Sequence, residues 1–118
     1  MSADVKTFIS LAIADSMFAV DAQVARRPLT VEEVKAIVEA GVVSGFNPSH
    51  ATTIAALEAK HGIVVPVPEK APLIKLAVGD RLVIMSARFP RRLAEGEVWT
   101  QEEVMAAQFA FGVWEVIG

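Results

Sequence analysis

The densest chemistry in the chain is Arg88-Phe89-Pro90-Arg91-Arg92, three guanidinium groups within five residues, followed by Leu93-Ala94-Glu95-Gly96. A guanidinium offers phosphate a planar fork of donors and keeps its charge at any physiological pH. Loops are where a rigid scaffold usually places ligand-binding side chains. The same residues also fit a solvated connector whose charges only keep the surface in water. Both readings stand on the residues alone. The other reactive group is His50, within Asn47-Pro48-Ser49-His50. Asn47 suits an N-cap and Pro48 the first helical position. Ser49, His50 and the free N–H groups of that turn then point where an anion can sit. His50 is there either a proton-transferring group or a structural side chain. His61 falls at the end of the same helix, where a cation complements the dipole, and reads as structural. Glu32-Glu33 and Glu102-Glu103 are better explained by helix capping than by acid–base work. The two tryptophans fit a core or subunit contact better than a stacking platform for bases.

Composition narrows the classes. With 118 residues the chain is long enough for a real core, and one domain spanning 1–118 is expected. The apolar set is 53% before glycine is counted, against about 45–50% with glycine in typical globular domains. That excess points to apolar surface covered by a second subunit, so a homodimer is expected. A net charge of -3 and a pI near 5.3 exclude a general binder of nucleic acid; a nucleotide would have to meet a local basic site. There is no Cys and there are two His, so disulfides and thiolate chemistry are absent and the usual ligand sets of structural zinc are missing. No metal or other cofactor is expected. No apolar run is long enough to span a bilayer. Residues 8–20 resemble the apolar part of a signal peptide, but Asp15 interrupts them and the leading Met-Ser-Ala-Asp-Val-Lys carries no net positive charge. The expected location is cytosolic, with no membrane partner.

The elements that would position these groups follow from periodicity and caps. Residues 5–13 read as a central strand covered on both faces. Phe18, Val20, Ala22 and Val24 alternate with small or polar residues, which predicts a half-buried antiparallel strand ending at Arg26-Arg27-Pro28. Thr30 and Glu33 form a capping box, Leu29 and Val34 a hydrophobic staple, and Gly41 a stop, so a helix starts at Val31. A second helix runs from Pro48 to Gly62. Residues 63–67 and 73–76 read as strands, and Val78-Gly79-Asp80-Arg81 as the turn of a hairpin that returns through residues 82–87. Thr100, Glu103, Trp99 and Val104 repeat the capping device for a short third helix. Residues 109–117 close the chain as a strand, with Gly112 a candidate bulge. The fold class expected is α/β (α+β), a mixed sheet of about five strands flanked by helices.

Five pieces between Leu29 and Glu103 carry a family resemblance in a fixed order. They are Leu29-Thr30-Val31-Glu32-Glu33; Ser49-His50-Ala51-Thr52-Thr53; Gly62-Ile63-Val64-Val65-Pro66; Gly79-Asp80-Arg81-Leu82-Val83; and Arg92-Leu93-Ala94-Glu95-Gly96 with Thr100-Gln101-Glu102-Glu103. In this order they resemble the viral and phage ring nucleases, the type III anti-CRISPR proteins. The resemblance implies a homodimer that binds cyclic tetra-adenylate, the second messenger of type III CRISPR immunity, and cleaves it without metal in the host cytoplasm. It implies His50 as general acid, Arg92 as the phosphate-binding arginine and Glu95 as the carboxylate that organises the site. Ser49, Thr53, Lys70 and Arg91 would line the ligand. The sequence differs from the family pattern in three places. Ser10-Leu11-Ala12 stands where the first strand ends in an Asn-containing motif, Ser49 replaces a glycine, and Lys70 replaces an arginine. A second reading is therefore a non-catalytic protein of the same fold that sequesters a cyclic nucleotide or binds a host protein. The chemistry implied is economical, because the neighbouring 2′-hydroxyl of RNA is its own nucleophile. The protein must align the attack, stabilise phosphorane charge and protonate the departing 5′-oxygen.

Overall fold

The computed structural model describes residues 5–118; residues 1–4, part of the segment on which the signal-peptide argument rests, lie outside it. The chain runs β1 (Thr7–Ser10), β2 (Val24–Leu29), α1 (Val31–Ala40), β3 (Val43–Ser44), α2 (Ala51–His61), β4 (Arg81–Arg88), α3 (Gln101–Ala106) and β5 (Gln108–Val116). Single 3-10 turns occupy Asp15–Met17 and Pro48–His50. All five strands join one mixed sheet in the order β2-β5-β4-β1-β3. β1 is parallel to β3 and β4, whereas β5 is antiparallel to β4 and β2. This is the expected α+β architecture.

The period of two along each strand divides the interior into two layers. Ile9, Val83, Met85, Phe111 and Val113 point to one face, where Val34 of α1, Ile54 and Leu57 of α2, and Phe46 close over them. Phe8, Leu82, Trp114 and Val116 point to the other face, which no helix covers. There Met17, Phe18, Ile74 and Leu76 pack from coil segments. Arg26, Ser86 and Ala110 stay exposed on the rest of that face.

The caps form as the sequence predicts. Thr30 Oγ1 accepts from the Glu33 amide at 3.1 Å while the Glu33 carboxylate accepts from the Thr30 amide at 3.0 Å. Thr100 and Glu103 repeat the pair at the start of α3. Such a cap is worth about 1 kcal/mol, a large share for a six-residue helix. The far end of α3 is held from outside by Lys60 of α2, whose Nζ donates to the carbonyls of Met105, at 2.8 Å, and Ala107.

Five expected features differ. The strand placed at residues 18–25 begins only at Val24 and runs on through Arg26, Arg27 and Pro28. Its partner β5 ends opposite Val24, at Val116; Gln23 still exchanges backbone hydrogen bonds with Ile117 and Gly118, and Phe18 and Ala22 before it pack on the open sheet face instead. Pro28 is tolerated because β2 is an edge strand. Residues 63–67 and 73–76 are extended, and Ile63, Val65, Ile74 and Leu76 are buried alternately with exposed neighbours, yet no ladder forms. The hairpin is therefore absent: β4 lies between β1 and β5. Gly112 is no bulge, since Ile84↔Gly112 and Pro28↔Gly112 keep register; a Cβ there would meet the Arg26 guanidinium at 2.9 Å.

Candidate functional site

Asn47 builds the first half of the site. Its Oδ1 accepts from the Ser49 amide at 2.9 Å and from the Ser49 hydroxyl, and its own backbone N–H donates to His50 Nδ1 at 3.1 Å. Pro48 supplies the fixed φ of the turn. His50 is half-buried and meets the ring of Phe46 edge-on, with centroids 5.5 Å apart. Because Nδ1 accepts, the neutral ring carries its proton on Nε2. Nε2 has no protein partner among the described residues. Ser49 is exposed and Thr53 half-buried, three residues along in the first turn of α2.

The second half is the loop after β4. Arg91 is its hub: Nε lies 2.5 Å from Glu103 and Nη1 3.2 Å from Glu97, with the guanidinium 5.9 Å from the centroid of Trp99. These hydrogen bonds, first to Glu103 and then to Glu97, raise the Arg91 pKa. The Ala94 amide holds the Glu97 carboxyl below its ordinary range, with Arg91 adding to the effect. The Thr100 amide and then Arg91 do the same for Glu103. Arg92 and Glu95 are exposed and form no ion pair among the described residues. The turn that carries Glu95 closes at Gly96, whose φ of +80° favours glycine.

The two halves abut without touching. Ala51 and Thr52, next in the chain to His50, form one wall of a groove whose opposite wall is Val98, Trp99 and Val104. Trp99 also lines the next hollow, with Phe89, Arg91, Arg92 and Leu93. No hydrogen bond or ion pair joins His50 to Arg92 or Glu95 within the protomer. Lys70 is apart from both, exposed over a shallow hollow formed with Ser44, Pro66 and Pro72. A hollow of about 760 Å³ lies on the opposite sheet face between Phe18, Lys75 and Trp114, far in kind from these groups: its lysine already donates to the Ser16 carbonyl at 2.7 Å.

His61 lies apart from these groups, at the end of α2. Burial, and secondly the Lys60 ammonium, lower its pKa, so this side chain at the end of α2 resists the charge that would complement the helix dipole. Its ring packs edge-on against Phe109 at 5.7 Å. The aromatic cluster of Phe89, Trp99 and Phe109 is not legible as such in the sequence, because it forms only when the two ends of the loop after β4 fold together against β5. Among the described residues no three His, Asp or Glu side chains are placed to hold a metal ion, and no helix is long and apolar enough to cross a membrane.

This geometry belongs to an α+β class in which one mixed sheet carries its helices on a single face. No protein-family model matches the chain, and no curated protein matches its sequence. Among solved structures the chain is similar to B116 of Sulfolobus turreted icosahedral virus, with a TM-score of 0.67 over 93% of this chain and 98% of that one. Sequence identity is 18%, so the likeness is one of fold.

Proposed function

We propose that the protein cleaves a cyclic oligoadenylate, with cyclic tetra-adenylate the favoured ring, and so counteracts type III CRISPR immunity as a viral protein in the host cytoplasm. The observation that carries this reading is a difference in commitment. Arg91, Glu33, Glu97 and Glu103 are used up in caps and ion pairs, whereas His50 Nε2, the Arg92 guanidinium and the Glu95 carboxylate have no partner among the described residues. The fold shared with a virus protein over nearly its whole length supports the same reading.

In the proposed reaction the 2′-hydroxyl of one adenylate attacks the adjacent phosphorus in line. The 2′-oxygen–phosphorus bond forms as the bond to the 5′-oxygen breaks. The 2′-hydroxyl proton passes to solvent water as the 5′-oxygen receives one from the protein, leaving a 2′,3′-cyclic phosphate and a free 5′-hydroxyl. Arg92 stabilises charge on the phosphorane, His50 supplies the leaving-group proton, and Glu95 orients the ribose or the guanidinium. Ser49 and Thr53 contact the ring phosphates from the start of α2. Arg91 fixes the loop, and Lys70 meets the ligand as a point charge. The active species is a homodimer, which would bring the halves of two protomers around one ring; the open sheet face and the high apolar content support it.

Labelled cyclic tetra-adenylate incubated with the protein in EDTA decides between readings. Cleaved ring in molar excess over protein is expected. Tight binding with an intact ring would instead establish sequestration, the reading that the departures at Leu11, Ser49 and Lys70 favour. Light scattering on the same sample is expected to give twice the protomer mass.

A further inference from the structure

We infer that the hollow beside the basic loop is a subsite for a purine base, stacked against the Phe89–Trp99 pair while Arg92 takes the attached phosphate; this rests on the proposed reading and names the part of the ligand it leaves unplaced. Phe89 and Trp99 lie face to face, with centroids 4.2 Å apart and planes inclined by 4°. Both rings are half-buried, and both line an open hollow of about 450 Å³ together with Arg91, Arg92 and Leu93. An aromatic pair recruited only for packing would be closed over by other side chains. Here Arg91 lies over the Trp99 ring, 5.9 Å from its centroid, and Phe109 meets Phe89 edge-on, so a base stacks on the part of the pair that lines the hollow beside Arg92.

Charge restricts what the hollow can take. Arg91 is bonded to both Glu97 and Glu103, so the guanidinium left without a carboxylate partner beside the hollow is that of Arg92. One unpaired guanidinium beside an aromatic surface matches one nucleotide unit, a flat base with a single phosphodiester. A polyanion lacking bases would leave the rings unused, and an apolar peptide would leave the arginine unused. Stacking on tryptophan and phenylalanine gives affinity without hydrogen-bond readout, and the larger purine ring gains more from it. Trp99 adds an independent sign. Its Nε1 is buried and has no hydrogen-bond partner. Buried indole N–H groups ordinarily find one.

Full-length protein carrying Trp114→Phe leaves Trp99 as the sole tryptophan and reports the hollow directly. Titration with 5′-AMP is expected to quench its fluorescence saturably, with weaker affinity for 5′-UMP and no response to inorganic phosphate. Phe89→Leu is expected to weaken 5′-AMP binding about tenfold. Arg92→Ala is expected to abolish the preference for 5′-AMP over adenosine. A phosphate response equal to that of 5′-AMP, or no saturable response to either, overturns the subsite, and this contrast needs no change in the loop. Ring cleavage by the same protein separates the two claims. Cleavage without 5′-AMP quenching removes the base subsite and leaves the enzyme; quenching without cleavage keeps the subsite and removes the enzyme.

Discussion

The backbone N–H of Asn47 donates to His50 Nδ1 at 3.1 Å, and this single bond fixes what the imidazole can do. Nε2 is the ring nitrogen left without a partner among the described residues, so it is the atom able to meet a leaving 5′-oxygen. His50→Ala is accordingly expected to slow ring cleavage by about 10²–10⁴-fold in single-turnover assays, while far-ultraviolet circular dichroism stays that of the parent. Parental rates in this variant would remove His50 from the chemistry.

Arg91 and Arg92 adjoin in sequence and differ in use, and that difference separates two variants. Arg92→Ala removes an unpaired guanidinium, and the expected loss is about 10²–10³-fold in cleavage with an unchanged melting temperature. Lysine at the same position restores part of it, since the charge survives and the fork does not. Arg91→Ala removes the bridge between Glu97 and Glu103. The expected effect is on order: the Ala94 amide, bonded to Glu97 at 2.6 Å, exchanges with solvent faster in hydrogen-exchange spectra.

What the sequence disclosed was whatever is encoded locally. Thr30 with Glu33 and Thr100 with Glu103 are read within four residues, and both boxes form. The Asn47-Pro48 start of α2 was equally plain, although its first turn is 3-10. Residues 63–67 and 73–76 show why strands were over-counted. Alternating burial of Ile63 and Val65, or of Ile74 and Leu76, leaves the same period-two trace whether or not a ladder exists. Only the sheet order shows that β1 occupies the position a hairpin strand would have taken. The reactive types His50 and Arg92 were legible, but the commitment of Arg91 to Glu103, twelve residues on, was not. Nor was the Phe89–Trp99 stack, which depends on how the loop folds back.

Asp80 shows how a turn residue can anchor the sheet without making a hairpin. Its buried carboxyl group accepts from the amides of Lys6 and Ala77, each at 2.9 Å, tying the approach to β1 to the start of β4. Leaving two amides without an acceptor is expected to make Asp80→Ala less stable by about 2–4 kcal/mol. Asp80→Asn, with one acceptor oxygen in place of two, falls between it and the parent. Urea unfolding followed by circular dichroism measures both. An Asp80→Ala midpoint equal to the parent's would show that the two amides find other partners.

His61 gives the fold a pH dependence whose sign follows from its surroundings. Burial first, and the Lys60 ammonium second, lower its pKa in the folded protein, outweighing the opposite pull of Glu32. As pH falls below the ordinary histidine value of about 6.5, the unfolded chain takes up a proton that the folded chain still refuses. Stability is therefore full above that value and declines through it until the lowered folded pKa is reached. Glu33, Glu97 and Glu103, whose pKa values are lowered chiefly by backbone amides, add a separate loss further into acid. The urea midpoint is expected to fall between pH 8 and pH 5.5 in the parent. In His61→Phe, which keeps an edge contact with Phe109 and cannot titrate, most of that decline should vanish. A decline of the same size in this variant would assign the effect to another group, and a parent midpoint that rises toward pH 5.5 would reverse the sign argued here.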